Sequence, residues 1–410
     1  MSSVQTLFVK LYGEPIGTLT LLQGDRSIFA FNDAYVANDA RPTLSLSFKD
    51  EFGDLITQSR PTQTSLTPFF SNLLPEGHMR DYLAVRAGVK KMREFHLLSV
   101  LGRDLPGALT VTPEDGVSLN IDDADDGDAS TSGGKHENAM RFSLAGVQMK
   151  FSAILEAEGG LTIPIDGAGG SWIVKLPSSN FDRVPENEMS MMTLAQKIGI
   201  DVPPHKLIDP AAIEGLPEGV ETLKGPAFAI ERFDRGPDGE RIQIEDFAQV
   251  FSVYPDQKYQ RATYRSIGQV LWIETGAEGF DEFIKRLVFN TLIGNADMHL
   301  KNWSLIYKNR VTPTIAPAYD FVSTIAYLDD ENAGLKYARQ KRMAKFSLDE
   351  LKYLTAKAGA PESLAVNAAK ETVERFRSLW PGESKNLPIT AEARSKIETH
   401  FASVELFREL

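Results

Sequence analysis

The chain has no cysteine. Disulfides, thiolate zinc sites and a cysteine nucleophile are therefore excluded, and the absence suits a reducing compartment. Long apolar runs are missing too. None approaches the roughly 18 residues that a membrane-spanning helix needs, so no membrane partner is expected. Residues 1–6 lack the charged and apolar regions of a secretion signal, which points to a cytoplasmic location. Positive charge is in deficit: 44 basic against 56 acidic residues leave a net charge of −12. Such a balance argues against a chain that coats nucleic acid over its whole surface. No internal repeats occur, and 410 residues suffice for two or three domains with sizeable cores.

What is present sorts by period. Residues 7–60 read as strands with turns at Gly13 and at Gly24-Asp25, and residues 44–48 continue the same antiparallel sheet. Helical spacing takes over from 67 to 101, and residues 108–111 add a strand. This block reads as scaffold or docking surface. Residues 122–138 are acidic and Gly/Ser-rich with no large apolar side chain, so they cannot bury enough surface to offset ordering entropy and read as a linker. The boundaries are thus 1–121, the linker 122–138, a strand-rich 139–235 and a mainly helical 236–410.

The chemistry concentrates at Gly294-Asn295-Ala296-Asp297-Met298-His299-Leu300-Lys301-Asn302. Phe280, Phe283, Ile284, Leu287, Val288, Thr291 and Leu292 recur at helical spacing before it, and Gly294 can end that helix in a left-handed turn. Residues 303–307 read as a strand, and the chain returns after Pro313 to Tyr319-Asp320-Phe321. A helix and a hairpin would thus place Asp297, Asn302 and Asp320 together. A carboxylate within reach of an attacking hydroxyl can orient it and take its proton, the role expected of Asp297. Mg²⁺ takes hard oxygen ligands and only one or two from protein, which Asn302 and Asp320 could supply. The D-x-x-x-x-N spacing with a later Asp is that of protein kinases, although Val322 stands where their Gly would be and no His-Arg precedes Asp297. His299 is closer to the loop of phosphoinositide kinases.

Upstream, Ile173-Val174-Lys175-Leu176 places one Lys in an apolar strand. Burying an ammonium without a partner costs several kcal/mol, or about 3–5 pKa units, so Lys175 should face an anion. It could hold nucleotide phosphates and pair with an acid on the next helix, Glu188 first and Glu186 second; the alternative is an edge lysine that reaches out to water. Ala145-Gly146-Val147-Gln148, in the turn after Ser143, could cover phosphates with backbone N–H groups, or be an ordinary hairpin. Residues 227–235 read as a strand breaking into a hinge whose backbone could bind adenine. There Asp234 could reach a ribose, or join Arg232 and Arg235 in a solvated cluster.

In this order the motifs resemble HipA, the serine/threonine kinase toxin family of bacterial HipBA toxin–antitoxin modules. The match is carried by residues 143–150, Ile173-Val174-Lys175-Leu176-Pro177, Glu231-Arg232-Phe233-Asp234-Arg235, Asp297 to Asn302, and Tyr319-Asp320, with Phe69-Phe70-Ser71-Asn72-Leu73-Leu74-Pro75 and Leu101-Gly102-Arg103-Asp104 in the first block. The resemblance implies a two-lobed, kinase-like α+β fold with an added β-rich N-terminal subdomain and a mainly helical C-terminal lobe. It implies ATP and Mg²⁺ as cofactors, Asp297 as base, Asn302 and Asp320 as metal ligands, Lys175 on phosphate, and main-chain contacts to adenine at Glu231 and Phe233. Ser143 aligns with a serine that the family autophosphorylates as an off-switch. Met149 departs from the Glu common there. The implied partners are a HipB-like helix-turn-helix antitoxin, operator DNA mainly through that antitoxin, and a protein substrate such as glutamyl-tRNA synthetase or another aminoacyl-tRNA synthetase. A small-molecule or lipid phosphotransferase of the same fold, suggested by His299, and a non-catalytic partner of a DNA-binding repressor are the competing readings.

Overall fold

The computed structural model describes residues 5–77, 80–81, 83–84, 93–113, 150–155, 161–163, 169–178, 180–216, 223–329 and 331–410. The acidic linker, and the turn with Ser143, Ala145, Gly146, Val147 and Gln148, lie outside them.

Period-two alternation builds the first unit. In β1 (Gln5–Leu11), Leu7, Val9 and Leu11 point inward and are buried. Tyr12 and Gly13, both at positive φ, turn the chain into β2 (Glu14–Leu22), and Gly24 with Asp25 does the same before β3 (Arg26–Phe31). A short helix α1 (Asp33–Ala37), β4 (Thr62–Gln63), helices α2 (Pro68–Ser71) and α3 (Glu94–Leu101), and β5 (Leu109–Pro113) complete it. The antiparallel sheet runs β4-β3-β2-β1-β5 over a core that includes Phe29, Phe70 and Leu97. The strand expected at 44–48 is instead a 3₁₀ turn, Leu46–Phe48. Its donors are taken outside any ladder: Leu46 N–H by Glu245 at 2.9 Å, Ser47 N–H by Ser45 Oγ at 3.1 Å and Phe48 N–H by Ser45 O at 3.3 Å.

The second unit is a six-stranded sheet in the order β10-β7-β6-β8-β11-β9. Its strands are β6 (Lys150–Leu155), β7 (Leu161–Thr162), β8 (Trp172–Lys175), β9 (His205–Ile208), β10 (Ile213–Glu214) and β11 (Ala227–Glu231), with α4 (Val184–Ile198) packed on it. Both faces of β11 are covered. Ala227 and Ala229 join a small core with Val174, while Phe228 and Ile230 join Met191 of α4 in the large helical core.

The third unit begins with β12 (Ile244–Asp246) and the single-turn α5 (Phe247–Val250). Helix α6 (Tyr264–Leu292) bends at Gly276, whose φ of 66° and ψ of −152° are non-helical. β13 (Ser304–Ile306) and β14 (Thr314–Ile315) form a sheet with β12, and α7 (Leu348–Ala358), α8 (Glu362–Glu383), α9 (Ala391–Ser403) and α10 (Glu405–Glu409) finish the lobe. The first unit is bonded to this lobe, with Thr43 N–H donating to Arg310 O at 2.8 Å and Asn72 Nδ2 to Val253 O at 2.8 Å.

Candidate active site

Lys175 ends β8 between β6 and β11 and is 4% exposed. It cannot reach solvent, so the water-facing alternative fails. Its ammonium pairs with Glu188 from α4 and with Asp320. Burial alone would depress its pKa, but the two carboxylates outweigh that and hold it above the ordinary lysine range. Glu186 turns away to Arg183 Nε at 3.1 Å. Helix phase decides this: Arg183, at a left-handed φ of 59°, caps α4, and from that start Glu188 is the acid facing the sheet.

Asp320 also has a left-handed backbone, φ 58°, a conformation costing about 1–3 kcal/mol outside glycine. Its surroundings impose it. Asn187, next to Glu188, donates to Ser323 O at 3.0 Å and accepts from Ser323 N–H at 2.9 Å. Asn295 Nδ2 reaches Asp320 O at 3.4 Å. One helix therefore grips both the lysine and the strap that follows Asp320.

Asn295 joins this strap to the loop that carries Asp297. Its Oδ1 accepts Asp297 N–H at 3.0 Å, and its Nδ2 donates to Asn290 Oδ1, on the last turn of α6, at 2.8 Å. Asp297 is exposed, and its carbonyl accepts Asn302 Nδ2 at 2.9 Å and His299 N–H at 2.8 Å. Its carboxylate accepts the phenol of Tyr259. Burial and that carboxylate push the phenol above the ordinary range, so Tyr259 stays a donor at neutral pH. His299 is 7% exposed, stacks edge-on against the Tyr259 ring, and has no partner for Nδ1 among the described residues. Burial lowers its pKa to about 4, leaving a neutral imidazole beside Asp297.

The hinge corrects one expectation. Asp234 does not stand free for a ribose, nor is it solvated. Arg232 binds it through two nitrogens at 2.9 Å, Arg235 through one at 2.8 Å, and Gly107 N–H at 2.8 Å. Asp104 of the first unit adds a second carboxylate, 2.9 Å from Arg235. Glu231 N–H donates to Pro204 O at 2.9 Å, so an adenine contact there falls to its carbonyl or to Phe233. The Phe233 ring lies 5.6 Å from that of Tyr319, beside Asp320.

Sequence reasoning missed Asn290, Asn295 and Tyr259 as site-builders. Asn290 left a signal, a polar residue inside an apolar helical run; Tyr259 left none. Among the described residues no three His, Asp or Glu side chains form a ready metal cage. One carboxylate and one amide, Asp320 and Asn302, suit Mg²⁺ carried by phosphates better than an all-protein site. The buried ammonium at Lys175 likewise suits a polyanion that can compete with its carboxylates.

Residues 142–380 match the family model for the HipA-like C-terminal domain, and residues 7–112 that for the HipA N-terminal domain. The chain is 58% identical over 412 residues to Y4dM of Sinorhizobium fredii, a protein bearing a kinase name, covering 100% of this chain and 99% of that one. It is 27% identical over 311 residues to the serine/threonine-protein kinase toxin HipA of Shewanella oneidensis, 66% of each chain being covered. The solved Shewanella oneidensis complex of HipA, HipB and operator DNA superposes with a TM-score of 0.72 at 21% identity, over 97% of this chain and 95% of that one, a likeness of fold. With both domains matched along its length, the chain belongs to the HipA family of kinases.

Proposed function

We propose that the chain is an ATP-dependent serine/threonine-protein kinase, the toxin of a toxin–antitoxin pair. The observation that supports it best is the buried Lys175 between Glu188 and Asp320, with Asn295 tying Asp320 to the loop of Asp297. Asp297 would orient a substrate hydroxyl and accept its proton. Lys175 would hold phosphates, with Asn302 and Asp320 holding Mg²⁺. Bound Mg-ATP supplies the phosphoryl group and neutralises developing charge. Neutral His299 would line the same pocket without adding a second base.

The partner would be a HipB-like antitoxin, bringing operator DNA with it, since the Shewanella complex contains both and a net charge of −12 disfavours direct DNA binding. The substrate would be a protein of translation, an aminoacyl-tRNA synthetase in the reading the family resemblance suggests, in the cytoplasm. Ser143 would be the off-switch, because about −1.5 to −2 added charges beside a phosphate loop repel ATP.

Intact mass and phosphosite mapping after incubation with Mg-ATP test this. The parent should gain phosphate at Ser143, and Asp297→Ala and Asp320→Ala should gain none. Parent-like phosphorylation in either variant overturns the assignment of roles; phosphate elsewhere refutes the role of Ser143.

A further inference from the structure

A carboxylate of the N-terminal domain lies against the catalytic loop. Glu76, just after α2, accepts from Lys258 Nζ at 2.7 Å and from Lys301 Nζ at 2.7 Å. Lys301 also donates to Asn72 O at 3.1 Å. Each lysine stands one position before a residue of the site, Lys258 before Tyr259 and Lys301 before Asn302. The two segments are bonded through the backbone as well, Leu300 N–H donating to Lys258 O at 3.3 Å. Burial would raise the Glu76 carboxyl, but Lys301 and Lys258 more than offset it and hold its pKa down to about 2, so it is ionised at any working pH.

Asp297 needs such support. It is exposed, so packing does not fix its rotamer, and the phenol that bonds its carboxylate belongs to a residue that is itself 40% exposed. A Tyr on an open turn holds a carboxylate in place only if the turn is held. Glu76 holds it from one side and the catalytic loop from the other. A carboxylate offers about four lone-pair sites, so the Tyr259 bond leaves room for a substrate hydroxyl.

We propose that Glu76 is a positioning residue for phosphoryl transfer: from the N-terminal domain it fixes Lys258 and Lys301, and through Tyr259 it sets the carboxylate of Asp297. The proposal rests on Asp297 being the base. It makes the N-terminal domain part of the catalytic machinery, in addition to any docking role.

The test uses the full chain as parent, Glu76→Gln, Tyr259→Phe and the double variant. Maximal autophosphorylation rate, ATP concentration at half-maximal rate and ATP-binding stoichiometry are measured for each. Each single variant should lose ~10-fold in maximal rate with half-saturating ATP and stoichiometry little changed, and the double should lose no more than the worse single, because the two act on one chain of contacts. A parent-like rate in either single variant, or losses that multiply in the double, overturns the proposal. Should Glu76→Gln fail to fold, Tyr259→Phe, which loses one oxygen, still decides through its rate. A parent whose phosphorylation is indifferent to Asp297→Ala overturns the kinase reading itself, and this inference with it.

Discussion

Removing the Lys175 ammonium would take from Glu188, fully buried, and from Asp320 the positive charge that joins them. Breaking a buried pair from one side typically costs ~3–5 kcal/mol, whereas replacing both partners by apolar groups costs far less. Lys175→Met should therefore lower the urea midpoint sharply, and Lys175→Met with Glu188→Met should recover part of it, the remaining Asp320 being partly exposed, while staying inactive. Equal loss in single and double variants would mean that packing, rather than charge, dominates. The need for an anion at Lys175 was legible, because a lone ammonium in a Val-Ile strand has no other stable state. The choice of Glu188 over Glu186 was not. Two acids two positions apart differ by about 200° around a helix, and the phase is set by the left-handed turn at Arg183, which has no sequence signature.

Helix α6 and its stop were readable because period and punctuation agreed: the apolar stripe from Phe280 to Leu292 is buried throughout, and Gly294 follows at φ 67°. Residues 44–48 misled because alternation speaks only for side chains, while the backbone donors there are taken locally by Ser45 and, from distant sequence, by Glu245. Gly294 permits a sharper expectation. An added Cβ would meet Ile325 Cγ2 at 2.7 Å in a backbone conformation that already disfavours it. Gly294→Ala should thus destabilise by more than about 1 kcal/mol in urea unfolding. Since Asn295 follows directly and bonds Asn290, Asp297 and Asp320, the variant should also lose phosphorylation beyond its loss of fold. A stable, fully active Gly294→Ala protein would show that the turn can relax without moving the loop.

At the scale of the molecule, the sequence suggested an N-terminal scaffold or docking surface, and no local pattern could have revealed how it is tied in, because ties such as Thr43 to Arg310 and Asn72 to Val253 join residues far apart in the sequence. Glu245 on β12 is such a tie: fully buried, it accepts from Leu46 N–H at 2.9 Å and from the hydroxyls of Ser45 and Tyr307. Burial raises its pKa from 4.5 to about 7, against the pull of those donors. Between these values the folded protein keeps a proton that the unfolded chain has released, so this group makes stability fall as pH rises across the window and adds no further change above it. Gln at this position cannot titrate, keeps an oxygen for Leu46 and Tyr307, and offers an N–H to Ser45 Oγ. Glu245→Gln should therefore gain on the parent in urea midpoint as pH rises from 5 to 7, with the difference levelling off by pH 8. Asp246, which burial raises to about 6, is coupled to Glu245 by charge, so the difference reads Glu245 together with its effect on Asp246. A difference constant from pH 5 to 8 would mean that Glu245 is already ionised in the folded state, and that the seam between the two domains holds a charge rather than a proton.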